Sequence, residues 1–203
     1  MWTKLTHSYY QQTDVVALAR DLLGKMLYTK IDNKITAWII TETEAYRGYE
    51  DCACHSHIKR CTPRTQVMFE DWGHAYVYLC YGVHIMFNIV TNHTDHADAI
   101  LIRAIHPIIW MDLIQARIGS VWSDIYFINW PGKVTKAMGI TRSDYGIDLT
   151  WDRIWLEDVW VIVDHNDVSI WPRVWIDYAW DDALLPRRFQ LLNSPTTSAK
   201  LNI

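Results

Sequence analysis

Glu42, Glu44 and Tyr46 recur at every second residue in the stretch Thr41-Glu42-Thr43-Glu44-Ala45-Tyr46. The run Trp38-Ile39-Ile40 leads into them and is too apolar for a surface loop. In an extended strand, period-2 alternation puts both carboxylates and the ring on one face, with Thr41, Thr43 and Ala45 on the other. Such a face makes an odd core. It suits the floor of a pocket that holds a flat ring and activates water. An edge strand with a solvated acidic face has the same spacing and is the plain alternative.

A carboxylate on a rigid strand can orient or deprotonate water beside an oxocarbenium-like sugar, which hydrolysis of a glycosidic bond requires. Glu44 is the candidate for that role. Glu42, roughly 7 Å along the strand, is a partner or a structural acceptor. Arg103 sits inside the apolar run of residues 99–106 and must be paired or face a pocket. Glu42, Glu44 or a phosphate would satisfy it. Tyr76 and Tyr78 share a strand face, and with Tyr46 and Tyr81 they supply aromatic planes. A pocket for an extruded base wants such planes, since stacking contributes roughly 1–3 kcal/mol per base. A tyrosine ladder packed within a sheet is the other reading.

Tyr81-Gly82-Val83-His84 reads as a hairpin tip. An exposed ring beside a glycine able to take positive φ fits a wedge between base steps, or a tyrosine folded back on its own hairpin. Cys52, Cys54, His55, His57 and Cys61 are soft ligands dense enough for zinc, although C-x-C-H-x-H-x₃-C is not a standard spacing. Gly132-Lys133 opens a helix, with Lys136 one turn on. That start could hold a phosphate on backbone N–H groups or simply face water.

The elements that must position these groups follow from periodicity. Residues 14–23 predict a helix capped by Thr13 or Asp14 and ended by Gly24. Residues 26–31 and 34–46 predict a hairpin turning at Asp32-Asn33. Residues 47–73 are loop-rich. Residues 74–81 and 85–90 predict a second hairpin, 99–106 a strand, 108–118 and 132–138 helices, and 150–189 short strands and turns. Residues 1–190 are expected to form a single domain, and the polar tail 191–203 to be disordered.

With 203 residues and 50% hydrophobic content, the chain can bury one substantial core. No apolar run reaches the length of a membrane span, and the N-terminus lacks a signal-peptide core. Four cysteines without a secreted-scaffold spacing are expected to be reduced thiols in a cytoplasmic protein. A net charge of −4 excludes a strongly basic domain, so nucleic acid would have to meet a local basic face.

Taken together, several stretches in one order resemble the alkyladenine (3-methyladenine) DNA glycosylase family over residues 14–189. They are LARDLLGK (18–25), TETEAY (41–46), D-x₃-H (51–55), T-P-R (62–64) and MF (68–69). They continue with YVY-x₂-YG-x-H (76–84), Asn88, LIRA (101–104), PGKVTKAMGI (131–140), PR-x₃-DYA (172–179) and PRRF (186–189). The resemblance implies an α+β fold: one compact mixed α/β domain with a curved, mostly antiparallel sheet, flanking helices and a protruding hairpin that enters the minor groove. It implies a monofunctional enzyme that flips 3-methyladenine, 7-methylguanine, hypoxanthine or ethenoadenine out of duplex DNA and hydrolyses the N-glycosidic bond.

In that reading Glu44 activates water and Arg103 is its neighbour. Tyr46, His55 and Tyr78 are the walls of the base pocket, and Asn88 is the gate against the 2-amino group of guanine. Tyr81, with Val83 and His84, enters the duplex. Backbone contacts are expected from Arg60, Arg64, Lys133 and Lys136, within a basic face that includes Lys59 and Arg142. No cofactor and no metal are implied; the partner is double-stranded DNA carrying damaged purines, no membrane is involved, and a monomer is expected. A zinc-binding hydrolase or module centred on Cys52, Cys54, His55 and Cys61 is the competing reading, as is a non-catalytic damaged-DNA binding protein.

Two departures stand out. Gln115 occupies a position where a basic residue is expected. Twelve Trp stand against eight Gly, where average usage would put roughly fourteen Gly. Trp38, Trp110, Trp130, Trp151, Trp175 and Trp180 fall where the family pattern has Gly, as they would if a codon read here as Trp encodes Gly in the source organism.

Overall fold

The computed structural model describes residues 2–109, 111–118 and 128–193. Its first hairpin joins β2 (Met26–Ile31) to β3 (Lys34–Tyr46) through Asp32 and Asn33. Both turn residues take positive φ, 50° and 59°, the two-residue turn that Asp and Asn tolerate best after glycine. β3 is the long central strand. β6 (Asp98–Ile109) lines one of its edges. Its other edge is taken by β2 up to Ile39, and by β9 (Arg188–Leu191) at Glu42, Thr43 and Glu44.

Residues 36–45 of β3 are therefore buried, and the solvated edge-strand reading of Glu42 and Glu44 is corrected. The acidic alternation meets protein on both sides because a distant strand, β9, closes over it. Local spacing carries no information about that strand.

Nine strands form one sheet among the described residues, and every pairing is antiparallel. The order is β1 (Thr3–Lys4), β7 (Ile154–Asp158), β2, β3, β6, β5 (His84–Thr91), β4 (Ala75–Cys80), with β8 (Val168–Trp171) paired on β9. With its flanking helices this is the mixed α/β domain expected from the sequence.

Asp14 caps α2 (Val15–Asp21): its Oδ1 accepts from the N–H groups of Val16 and Ala17 at 3.0 Å. The helix buries Val15, Leu18 and Ala19, and Thr43 of β3 donates to the Ala19 carbonyl at 2.7 Å. That bond ties the helix to the back of the strand whose other face carries Glu42 and Glu44. α4 (Pro131–Met138) starts on Pro131, which lacks the N–H a helix start leaves unpaired, and ends on Gly139 at φ 69°. Val134, Ala137 and Met138 are buried against the sheet, and Thr135 donates to Ile85 O at 2.8 Å. The helix start is thereby docked beside the second hairpin. Two further α-helices among the described residues are α1 (His7–Tyr10) and α3 (Met111–Ile118).

The core gathers Leu18, Leu22, Trp38, Ile40, Phe87 and Ile100 between helices and sheet. Phe87 is wholly buried, and truncation to alanine costs about 3–5 kcal/mol at such a position. Of the six tryptophans at glycine-type positions, Trp38 is wholly buried, and its indole Nε1 has no partner among the described residues. Trp151 is exposed. Trp175 and Trp180 adopt positive φ, 61° and 57°, and Trp160 joins them at 59°. Trp110 and the tail from residue 194 lie outside the described residues, as does the Gln115 side chain. Among the described residues no helix is long and apolar enough to cross a membrane.

Candidate active site

Glu44 has no exposed surface. Its Oε1 accepts from the Val174 N–H at 2.8 Å, and its Oε2 accepts from the Tyr46 hydroxyl at 2.8 Å. Arg103 approaches Oε1 with Nη1 at 3.4 Å while its Nε holds Glu42 Oε1 at 2.9 Å. Arg188 of β9 reaches the same Glu42 oxygen at 3.3 Å. Two buried carboxylates and two guanidinium groups thus alternate along one face of β3, and none is an isolated buried charge. Glu42 is the structural acceptor that anchors Arg103. Burial raises the pKa of Glu44, and Arg103, the Val174 N–H and the Tyr46 hydroxyl pull against that rise. The result is a carboxyl more basic than usual.

Glu44 lies at a cavity of about 310 Å³, within the ~300–1,000 Å³ range of small-molecule sites. Aromatic rings dominate its walls. Tyr76 and Tyr78 stack at 5.1 Å and 26°, as period-2 spacing on β4 dictates. The His55 ring meets Tyr78 edge-on at 4.7 Å, and its Nδ1 is 2.8 Å from the Tyr76 hydroxyl. Burial, then Arg64 and Arg60, lower the His55 pKa to about 4, so the ring is neutral at neutral pH. A neutral imidazole among phenol rings leaves the cavity attractive to a flat cation. Asn88 also lines the cavity; it is buried in β5, with Nδ2 donating to Tyr76 O at 3.1 Å. Tyr46, His55, Tyr78, Asn88, Glu44 and Arg103 are therefore brought to one cavity from five separate segments of chain.

At the mouth, Cys80 pairs with His84, so Tyr81, Gly82 and Val83 form a three-residue tip. Tyr81 is 77% exposed and Val83 73%. Tyr81 does not fold back: its backbone holds φ at 50°, next to Gly82 at 72°. His84 sits lower than the tip. Its ring contacts Trp130 edge-on at 5.8 Å and packs under Gly132, where an added Cβ would lie 2.9 Å from His84 Nδ1. Arg60 is exposed; Arg64 lines the mouth, its guanidinium 5.8 Å from the Tyr78 ring. Lys133 stands in the first turn of α4 and Lys136 in the last, the latter exposed.

The cysteines do not converge. Cys54 is buried, its Sγ 3.1 Å from the Ser56 hydroxyl; Cys52 and Cys61 are exposed. Cys52 Sγ is 3.8 Å from His57 Nε2, yet among the described residues no three His, Cys, Asp or Glu side chains gather to hold a metal ion.

Three contributors escaped the sequence reading. The Val174 N–H is a backbone donor, invisible in a side-chain inventory. Arg173 lies 4.7 Å behind the Tyr46 ring, and Tyr178 lines the cavity with its hydroxyl donating to Ala53 O at 3.2 Å. Both side chains belong to the PR-x₃-DYA stretch, whose presence was the available signal, although nothing in it said which strand it would face.

The model of the methylpurine-DNA glycosylase (MPG) family matches residues 8–195. A protein of Chlamydia felis named "Putative 3-methyladenine DNA glycosylase" is 40% identical over 188 residues, covering 92% of this chain and 95% of that protein. Proteins of the same name from Bdellovibrio bacteriovorus and Methanocella arvoryzae are 37% and 38% identical, covering 95% and 97% of this chain and 96% of each relative. The match spans the strand carrying Glu44, the aromatic wall, the hairpin tip and β9, so the chain that builds this cavity belongs to the methylpurine-DNA glycosylase family.

Proposed function

We propose that this protein is a monofunctional DNA glycosylase. It flips alkylated or deaminated purines (3-methyladenine, 7-methylguanine, hypoxanthine and ethenoadenine) out of duplex DNA and hydrolyses their N-glycosidic bonds. The observation that carries the reading is Glu44: a wholly buried carboxylate, held by three donors, at the floor of a cavity walled by aromatic rings. The relatives' printed names point to the same class of activity.

The chemistry is simple. An alkylated purine carries positive charge, so its C1′–N bond is already weak. The aromatic walls favour that cation. Water attacks C1′ and passes one proton to the Glu44 carboxylate; the bonding pair of C1′–N leaves with the base, which departs neutral when it is the cationic 3-methyladenine or 7-methylguanine, whereas uncharged hypoxanthine or ethenoadenine must take up a proton from solvent as it leaves. Arg103 offsets the charge of Glu44 and orients it. Tyr81, with Val83, fills the space left in the stack, while Arg60, Arg64, Lys133 and Lys136 hold phosphates on the flanks. A damaged base is cheaper to unstack than a sound one, which adds selectivity before the cavity acts.

Single-turnover release of base from duplexes carrying 7-methylguanine or hypoxanthine tests this. Glu44→Gln keeps the shape of the side chain and removes the base, and should slow release by roughly 10²–10⁴-fold with duplex binding kept. Release by Glu44→Gln at the wild-type rate would overturn the role of Glu44. Duplex binding without release by the wild type would establish a binding protein instead.

A further inference from the structure

Arg173 is wholly buried and forms a two-pronged pair with Asp51. Nη1 meets Oδ2 at 2.5 Å, and Nη2 meets Oδ1 at 2.9 Å. Nη1 also donates to Ala45 O at 2.9 Å and Nη2 to Asp182 O at 3.1 Å, so the guanidinium has one allowed placement. Asp51 is held in turn. Arg187 Nη1 reaches its Oδ2 at 3.0 Å, and the N–H groups of Arg47 and Ala53 donate to its two oxygens.

From that placement Arg173 faces the site in two ways. Its Cζ lies 4.7 Å from the centre of the Tyr46 ring, so the planar group backs the ring. The very next peptide N–H, that of Val174, is the donor to Glu44 Oε1. The ring that Arg173 backs carries the hydroxyl bonded to Glu44 Oε2. Two of the three donors on Glu44 thus depend on one buried guanidinium. The third, Arg103, is held independently by Glu42.

We propose that Arg173 is a positioning residue for the water-activating carboxylate: anchored on Asp51, it clamps the Tyr46 ring and fixes the Val174 N–H against Glu44. The proposal rests on the reading of Glu44 as the base. Arg173 does not touch the reacting atoms. It acts by keeping hydrogen-bond donors on the charged form of another residue, which favours that form. Loosening those donors makes Glu44 hold its proton to higher pH.

The test is the pH dependence of the single-turnover rate constant for base release, measured for wild type, Arg173→Lys, Arg173→Met and Glu44→Gln. Lysine keeps the charge against Asp51 but has neither the planar fork nor the stacking face. Both Arg173 variants should move the acid limb of the rate profile upward, by about one pH unit, with a plateau rate at high pH close to wild type. With folded enzyme saturating and in excess over duplex, the rate constant is insensitive to any unfolded fraction; Arg173→Lys, which keeps a cation beside Asp51, supplies the readout if Arg173→Met does not fold. An acid limb unmoved in Arg173→Lys, or absent from it as from wild type, overturns the proposal. The two readings separate cleanly: wild-type rates in Glu44→Gln remove the base, whereas an inactive Glu44→Gln beside unshifted Arg173 variants removes only the role of Arg173.

Discussion

Burial raises the pKa of the Glu44 carboxyl, and Arg103 and two hydrogen-bond donors oppose that rise. A base must be ionised to act, so base release should fall as pH drops through this pKa and level off above it. His55, lowered to about 4, stays neutral through that range. The profile should therefore show a single acid limb and no second inflection near the ordinary histidine value of about 6.5. A limb there that vanishes in His55→Gln would instead mark a charged imidazole in the cavity. Backbone strain gives a second prediction at this scale. Trp180 sits at φ 57°, ψ −123°, a region that glycine alone adopts freely, and it is 83% exposed. Trp180→Gly should stabilise the protein by about 1–2 kcal/mol, read as a rise in melting midpoint. Trp175→Gly should gain less, because Trp175 loses its contact with Trp130 at 4.4 Å. Peptide mass spectrometry of natively made protein reads directly whether these positions are Trp or Gly.

At the scale of elements, the β4–β5 hairpin and the start of α4 form one body, since His84 packs under Gly132 with no room for a Cβ. Gly132→Ala should push the helix start off the hairpin and weaken DNA binding more than it weakens the fold. Tyr81 is one of two exposed side chains at the tip, with Val83. Tyr81→Ala should reduce base release while shifting stability by no more than about 0.5 kcal/mol, the range for exposed positions. Arg60 and Arg64 belong to one loop and Lys133 and Lys136 to α4, yet on the proposed reading all four contribute additive charge. Replacing Lys136 with alanine should weaken binding uniformly across sequences and reduce the salt slope by about 1, measured by titrating duplex at several ionic strengths.

Across the whole molecule, the Asp51–Arg173 pair joins the loop after β3 to the segment before β9. Burial pushes the Asp51 carboxyl up, but the hydrogen bond and charge of Arg173, then the Arg47 and Ala53 N–H groups, bring it below its ordinary value. A carboxyl whose folded pKa lies under its unfolded one contributes stability above the unfolded value, and that contribution fades as pH falls through the folded one. Acid unfolding below about pH 4 should therefore be steep, and less so in Asp51→Asn. Asp98 works in the opposite direction. Burial raises its pKa to about 6, against the Asn92 amide, and a raised carboxyl withdraws stability as pH climbs from about 4 to about 6. Asp98→Asn should be more stable than wild type at pH 7, by about 1–2 kcal/mol in urea unfolding, and close to it at pH 4.

Much of the scaffold was legible from the chain because its signals are local. Asp32-Asn33 turns one hairpin, Tyr81-Gly82-Val83 the other, Asp14 caps α2, and Pro131 and Gly139 bracket α4. Alternation alone put Glu42, Glu44 and Tyr46 on one face. It could not say whether that face met water, because the answer lies in β9, some 145 residues further along. Pairing at that separation depends on the summed burial of the sheet and leaves no mark on either stretch alone. The same holds for the Val174 N–H and for Arg173: one is a group every residue but proline possesses, the other an arginine among many until Asp51 and Tyr46 surround it. The residue types that can do the chemistry were thus set by the sequence. Their ionisation, hydrogen-bond partners and shared cavity were decided by the tertiary structure, since desolvation and donor geometry exist only once distant strands have closed over them.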